Sequence, residues 1–214
     1  LLIAISFIAV IAIAIGIDRI LDQYEEATVA WVSVHVMALA IVAVVWRLGV
    51  YRNGSRLSKL GLIPMGRPSL RTAIMTVLAL GASLGFTVVY ATLVGLVDAD
   101  FLSPPDVPSE IVFPGVAALF TFQALAVVTP ITEEIFFRGF VFPGLVHRLG
   151  VGRAILASAV LFSAFHLSLG VLVPVIVTGL LLGWLYYRTG SLWPSILVHA
   201  GQNALAVAIE VYWG

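Results

Sequence analysis

An all-α, polytopic bundle of transmembrane helices is the fold class that this sequence predicts, and three observations predict it. First, 61% of the 214 residues are hydrophobic and 10% are charged, against about 45–50% and about 25% in a soluble domain. Second, the apolar residues fall into runs of about 20, the length of helix that crosses a bilayer. At that size the chain holds about seven spans, or eight, and has no room for a soluble catalytic domain. Third, the runs are continuous and lack period-two alternation. They read as helices, which satisfy their own backbone in lipid, and not as barrel strands. The same totals exclude a disordered chain and a nucleic-acid binder. The absence of cysteine removes disulfides, thiolate metal sites and cysteine nucleophiles.

The segments follow in order. Leu1–Ile17 lacks a small-residue cleavage signature and reads as a span, not a signal peptide. The chain starts Leu1-Leu2 without methionine, so the natural N-terminus is expected upstream. Thr28–Trp46 and Thr72–Val97 are the second and third spans. Ile111–Phe142 would be about 48 Å long as one straight helix, while the hydrocarbon core is about 30 Å thick. This element must therefore tilt, kink or project, and Pro130 is the expected kink because it has no backbone donor. Ala154–Leu169 and Val171–Tyr187 meet at a short uncharged turn near Gly170, and Trp193–Tyr212 closes the bundle. The first three spans form an N-terminal unit over 1–110, and the last four a C-terminal catalytic core over 111–214. Gly139, Gly144, Gly179 and Gly183 are expected at close helix contacts. Phe136, Phe137, Phe140 and Phe142 are expected to pack.

The formal net charge is zero, but the charges are segregated. The loop after the second span holds Arg47, Arg52, Arg56, Lys59, Arg67 and Arg71 with no acid. The loop after the third holds Asp98, Asp100, Asp106 and Glu110 with no base. Arg148 and Arg153 follow the fourth span and Arg188 follows the sixth. The positive-inside rule then predicts a multi-pass protein of the cytoplasmic membrane, with its N-terminus inside and its C-terminus outside. Trp46, Trp184, Tyr186, Tyr187 and Trp193 would belt the inner face, and Trp31, Tyr212 and Trp213 the outer one.

Three charges fall inside the fourth span: Glu133, Glu134 and Arg138. Each costs about 2.5–3.5 kcal/mol on insertion scales, so such residues mark function or pairing. Glu134 and Arg138 are spaced i, i+4 and share a helix face. Glu133 points about 100° away and stays available. The fifth span offers Phe162-Ser-Ala-Phe-His166 and the seventh His199-Ala-Gly-Gln-Asn203. Crude depths overlap in the cytoplasmic half of the membrane. A carboxylate beside an imidazole can take a proton from water for attack on a carbonyl. A second imidazole and an amide N–H can stabilise the oxyanion. Alternatively, a divalent metal held by Glu and His activates the water. Either route hydrolyses an amide. Ser195 precedes His199 by four residues, but no nucleophile elbow accompanies it. His35 and His147 are expected to be a packing residue and an interface residue.

The three boxes, Glu133-Glu134-Ile-Phe-Phe-Arg138, Phe162-Ser-Ala-Phe-His166 and His199-Ala-Gly-Gln-Asn203, resemble those of the CAAX protease and bacteriocin-processing (Abi) family of intramembrane proteases. The likeness runs from about Phe113 to the end of the chain, and the first three spans carry none of it. It implies a membrane-embedded endopeptidase related to the CAAX prenyl endopeptidase, acting on a membrane protein or peptide. By that resemblance Glu133 and His166 would activate water, His199 and Asn203 would form the oxyanion site, and Glu134 and Arg138 would brace the motif. The family is described both as glutamate-type and as metal-dependent. Glu133, His166 and His199 would suffice for a catalytic zinc with one open position. Two other readings compete: a proton-coupled transporter using the same residues as a relay, and a non-catalytic immunity or scaffold protein. The lack of inverted repeats weighs against the transporter.

Overall fold

The computed structural model describes residues 25–51, 60–62, 69–105, 107–113 and 115–213. The predicted first span, Leu1–Ile17, and loop residues Arg52, Arg56, Lys59 and Arg67 lie outside the described residues. The described residues form six longer helices, α1 (Glu25–Tyr51), α2 (Leu70–Leu96), α3 (Gly115–Leu149), α4 (Val151–Ala164), α5 (Leu169–Thr189) and α6 (Leu192–Trp213), and two single 3-10 turns at Asp100–Leu102 and Ser109–Ile111. Five of these are long and apolar enough to cross a membrane, and no strand occurs among the described residues. The chain is an all-α, multi-pass membrane bundle.

The exception is α4. Its 14 residues reach about 21 Å, short of the hydrocarbon thickness. The predicted span Ala154–Leu169 is corrected here: the helix starts earlier, at Val151, and stops at Ala164. Hydrophobicity continues past that point, but the backbone does not. The His166 and Leu167 amides donate to Ser163 and Ala164 carbonyls at 3.0 and 3.2 Å, tightening the last turn. Leu167 then adopts a left-handed φ of 49°, which no helix continues through.

α3 runs continuously over 35 residues, and its turns widen twice, over Gln123–Val128 and Ile135–Val141. The first wide turn ends just before Pro130, where the sequence predicts a kink. The Thr129 N–H donates five residues back, to Ala124 O, and the Thr129 hydroxyl donates to the same carbonyl at 3.1 Å. The adjacent glutamates occupy the regular stretch between the two wide turns, Thr129–Glu134. α2 begins where the Ser69 hydroxyl accepts the Thr72 N–H at 3.1 Å, an N-cap.

Helix contacts follow the small residues in part. A Cβ at Gly179 of α5 would lie 2.9 Å from both Cα and Cβ of Ala159 on α4. One at Gly139 would lie 2.9 Å from Leu60 O, and one at Gly183 3.2 Å from an Ile155 methyl. A Cβ at Gly144 would meet no heavy atom of another element within 4 Å among the described residues, so its expected packing role is corrected. Gly179→Ala is expected to push α4 and α5 apart and cost about 1–3 kcal/mol; a melting temperature unchanged from wild type would contradict the contact.

Among the expected belt aromatics, Trp46, Trp184, Tyr187 and Trp193 are exposed. Tyr186 turns inward, edge-on to Phe142 at 5.9 Å. Trp31 is 4% exposed and stacks on His35 at 3.6 Å, which corrects its assignment to the outer belt. A hydrophobic run cannot tell a lipid-facing indole from one with an internal partner.

Candidate functional site

α3 and α6 bring the buried charges together. Arg138 Nη1 donates to Glu134 Oε1 at 2.7 Å, with both side chains fully buried. Its Nη2 donates to Gly179 O at 3.1 Å, and its guanidinium carbon lies 4.4 Å from the centroid of the Phe162 ring. One side chain thus ties α3 to α4 and α5. The Gly179 carbonyl is reachable because α4 and α5 press together at that glycine.

From α6, His199 enters between the two carboxylates. Its Nδ1–H donates to Glu134 Oε1 at 3.2 Å, and its Nε2 stands 3.8 Å from Glu133 Oε2. Adjacent helical residues diverge by about 100°, so two neighbouring glutamates can flank one imidazole arriving from another helix. Glu134 is sealed, whereas the Glu133 side chain is 24% exposed. The Glu133 and Glu134 Oε2 atoms, both buried, find no hydrogen-bond partner among the described residues. The predicted division, one glutamate committed to Arg138 and the other available, is the geometry observed. The bond from His199 to Glu134 was not anticipated. It fixes the imidazole so that Nε2 faces Glu133.

His166 lies in the exposed turn after α4. Its Nδ1–H donates to Phe162 O at 3.0 Å, leaving Nε2 with a lone pair. The Phe162 ring touches both imidazoles edge-on, at 5.1 Å from His166 and 5.5 Å from His199. The two histidines therefore share an aromatic neighbour, and His199 is the one beside Glu133. Asn203, one turn beyond His199, faces α3, where its Nδ2 donates to Leu125 O at 2.8 Å. Ser195 donates to Leu182 O at 3.0 Å, so no serine–histidine pair forms.

The metal reading depends on Glu133, His166 and His199 converging. Among the described residues no group of three histidine, aspartate or glutamate side chains stands close enough to hold a metal ion. Glu133, His166 and His199 do not form an assembled donor set in this geometry.

Two polar clusters escaped the sequence reading. His35 is fully buried; its Nδ1–H donates to Trp31 O at 2.8 Å, and its Nε2 lies 3.0 Å from the Gln123 amide nitrogen. Trp31 Nε1–H donates to Gln123 Oε1 at 3.0 Å. The packing role expected of His35 is thus filled by a network joining α1 to the first wide turn of α3. On the other side, Gln202 Nε2 donates to Ser83 Oγ at 2.7 Å, and Ser83 Oγ lies 2.6 Å from Thr178 Oγ1. This clasps α2 and α5 onto α6, next door to His199 and Asn203. The available signal was the presence of Ser83, Thr178 and Gln202 within apolar spans, where side-chain hydrogen bonds join helices.

The family match falls on these helices, α3 to α6. Residues 115–205 match the family model described as Type II CAAX prenyl endopeptidase Rce1-like. Over 86 residues the chain is 33% identical to the Bacillus subtilis protein named "Putative membrane peptidase YdiL", covering 40% of this chain and 35% of that one. Over 80 residues it is 28% identical to "UPF0177 protein YxdF" of Lactococcus lactis, covering 37% of this chain and 44% of that one. The matched region thus spans less than half the length of either relative. No solved structure matches the chain.

Proposed function

We propose that this chain, which carries a Rce1-like CAAX protease domain over residues 115–205, is a membrane-embedded endopeptidase. It cleaves a peptide bond in a membrane-associated protein or peptide, using water activated by Glu133. The observation that carries this is the placement of His199 between Glu133 and Glu134, at 3.8 and 3.2 Å. Glu134, anchored by Arg138, holds the imidazole. Glu133 keeps an unpartnered oxygen and an opening to the outside of the bundle, which a proton-accepting group for water requires.

The roles then follow. Water beside the Glu133 carboxylate loses its proton to it as its oxygen attacks the scissile carbonyl. The resulting oxyanion forms beside the His199 imidazole that Glu134 holds. The proton on Glu133 then passes to the leaving amine. His166, on the rim of the same aromatic cluster, is placed to bind or orient substrate arriving at the exposed turn. The N-terminal part of the chain, of which α1 and α2 are described, is assigned a supporting role beside the core of 111–214. The charge pattern supports a topology with the basic loops and the N-terminus in the cytoplasm and the C-terminus outside.

The test is cleavage of a membrane-inserted reporter peptide by the full chain in vesicles, in parallel with proton-linked uptake. Proteolysis that depends on Glu133 supports the reading. Proton-linked uptake without proteolysis would favour a carrier, and neither activity would favour a scaffold.

A further inference from the structure

We infer that Asn203 is a positioning residue that closes the α3 backbone where Pro130 leaves it open. The argument starts from register. In the wide turn Gln123–Val128 the N–H groups reach five residues back, as Thr129 N–H does to Ala124 O. The next donor in that register belongs to residue 130, which is proline and has none. The carbonyl left without a donor is that of Leu125. Asn203 Nδ2 donates to this carbonyl at 2.8 Å. In a bilayer water cannot replace the missing bond, so an open carbonyl there must be met by a side chain.

The device connects the break to the chemistry. Glu133 and Glu134 lie three and four residues after Pro130, on the regular stretch Thr129–Glu134. Their aim depends on how the wide turn before them is held. Asn203 sits one helical turn from His199 on α6, so the helix that presents the imidazole also pins the turn that aims the carboxylates. A second grip comes from α1, where Trp31 and His35 hold the Gln123 side chain at the start of the same turn. The catalytic meaning rests on the proposed peptidase reading; the backbone bond itself does not.

The experiment uses the full chain and a double-variant cycle. Asn203→Ala is expected to lower the melting temperature by a few degrees, as an unmet backbone carbonyl within the bilayer does, and to cut turnover about 100-fold, as misplacing the reacting groups by about 1 Å does, with KM little changed. Pro130→Ala returns an N–H to the helix at the break. In that background, Asn203→Ala is expected to melt within a degree or two of Pro130→Ala alone and to recover at least tenfold of the lost kcat. A double variant that melts as far below Pro130→Ala as Asn203→Ala does below wild type overturns the inference. Recovered melting without recovered kcat also overturns it, and assigns Asn203 to direct contact with the reacting atoms. If Asn203→Ala does not fold, folding of the double variant supports the inference. Failure in both backgrounds, with Asn203→Ser folding equally well in each, overturns it. A wild type without proteolysis sinks the peptidase reading alone, because the melting cycle still reports on the Leu125 bond.

Discussion

Glu133→Gln is expected to reduce proteolysis by about 10²–10⁴-fold, the usual contribution of a positioned proton acceptor, while melting close to wild type. The substitution keeps the shape of the side chain and removes its capacity to take a proton. Its structural cost is small for two reasons. Glu133 is the more open of the two glutamates, and the Arg138–Glu134–His199 chain does not pass through it. A glutamine amide can also donate to His199 Nε2, which stands 3.8 Å from the present carboxylate oxygen. The expected profile is therefore a loss in kcat with substrate binding retained. Cleavage of a membrane peptide at near wild-type rate by Glu133→Gln would remove Glu133 from the mechanism. A melting temperature many degrees lower would show instead that Glu133 is structural.

How far the sequence alone reached depends on which physical signal each feature leaves. Long apolar helices are written in composition, so α2, α5 and α6 were legible within two residues of their observed ends, while α1 runs five residues past Trp46 and α3 seven residues past Phe142. The early stop of α4 was not, because the left-handed turn at Leu167 leaves no mark in a run of apolar residues. The Glu134–Arg138 pair was legible because i, i+4 spacing is a property of one helix. The bond from His199 to Glu134 joins two helices 65 residues apart, and no spacing rule encodes it. The same holds for Gln123 with Trp31 and His35, and for Gln202 with Ser83. A polar residue in a span announces that it needs a partner without saying which. Asn203 shows the limit most clearly. Its type suggested a donor to an oxyanion, and its observed acceptor is a backbone carbonyl that only the register of the wide turn makes available.

Arg138→Met is expected to be the most destabilising single change, at about 3–5 kcal/mol, because it strips one partner from a fully buried ion pair. Three contacts go at once: the 2.7 Å bond to Glu134, the 3.1 Å bond to Gly179 O and the stacking on Phe162. Glu134 is then left at 0% exposure with His199 as its remaining donor. Arg138→Lys is a poor substitute, since one ammonium cannot span the carboxylate and the Gly179 carbonyl in the planar fork that arginine presents. The double variant Arg138→Met with Glu134→Leu separates the two uses of this pair. Replacing both charges with apolar side chains of similar size is often close to neutral, so much of the lost melting temperature should return. Proteolysis should not return, because His199 loses the acceptor that directs its Nε2 toward Glu133. Recovery of stability together with activity would show that the pair is a packing element only. Recovery of neither would show that the Gly179 and Phe162 contacts, rather than the pair, carry the fold at this point.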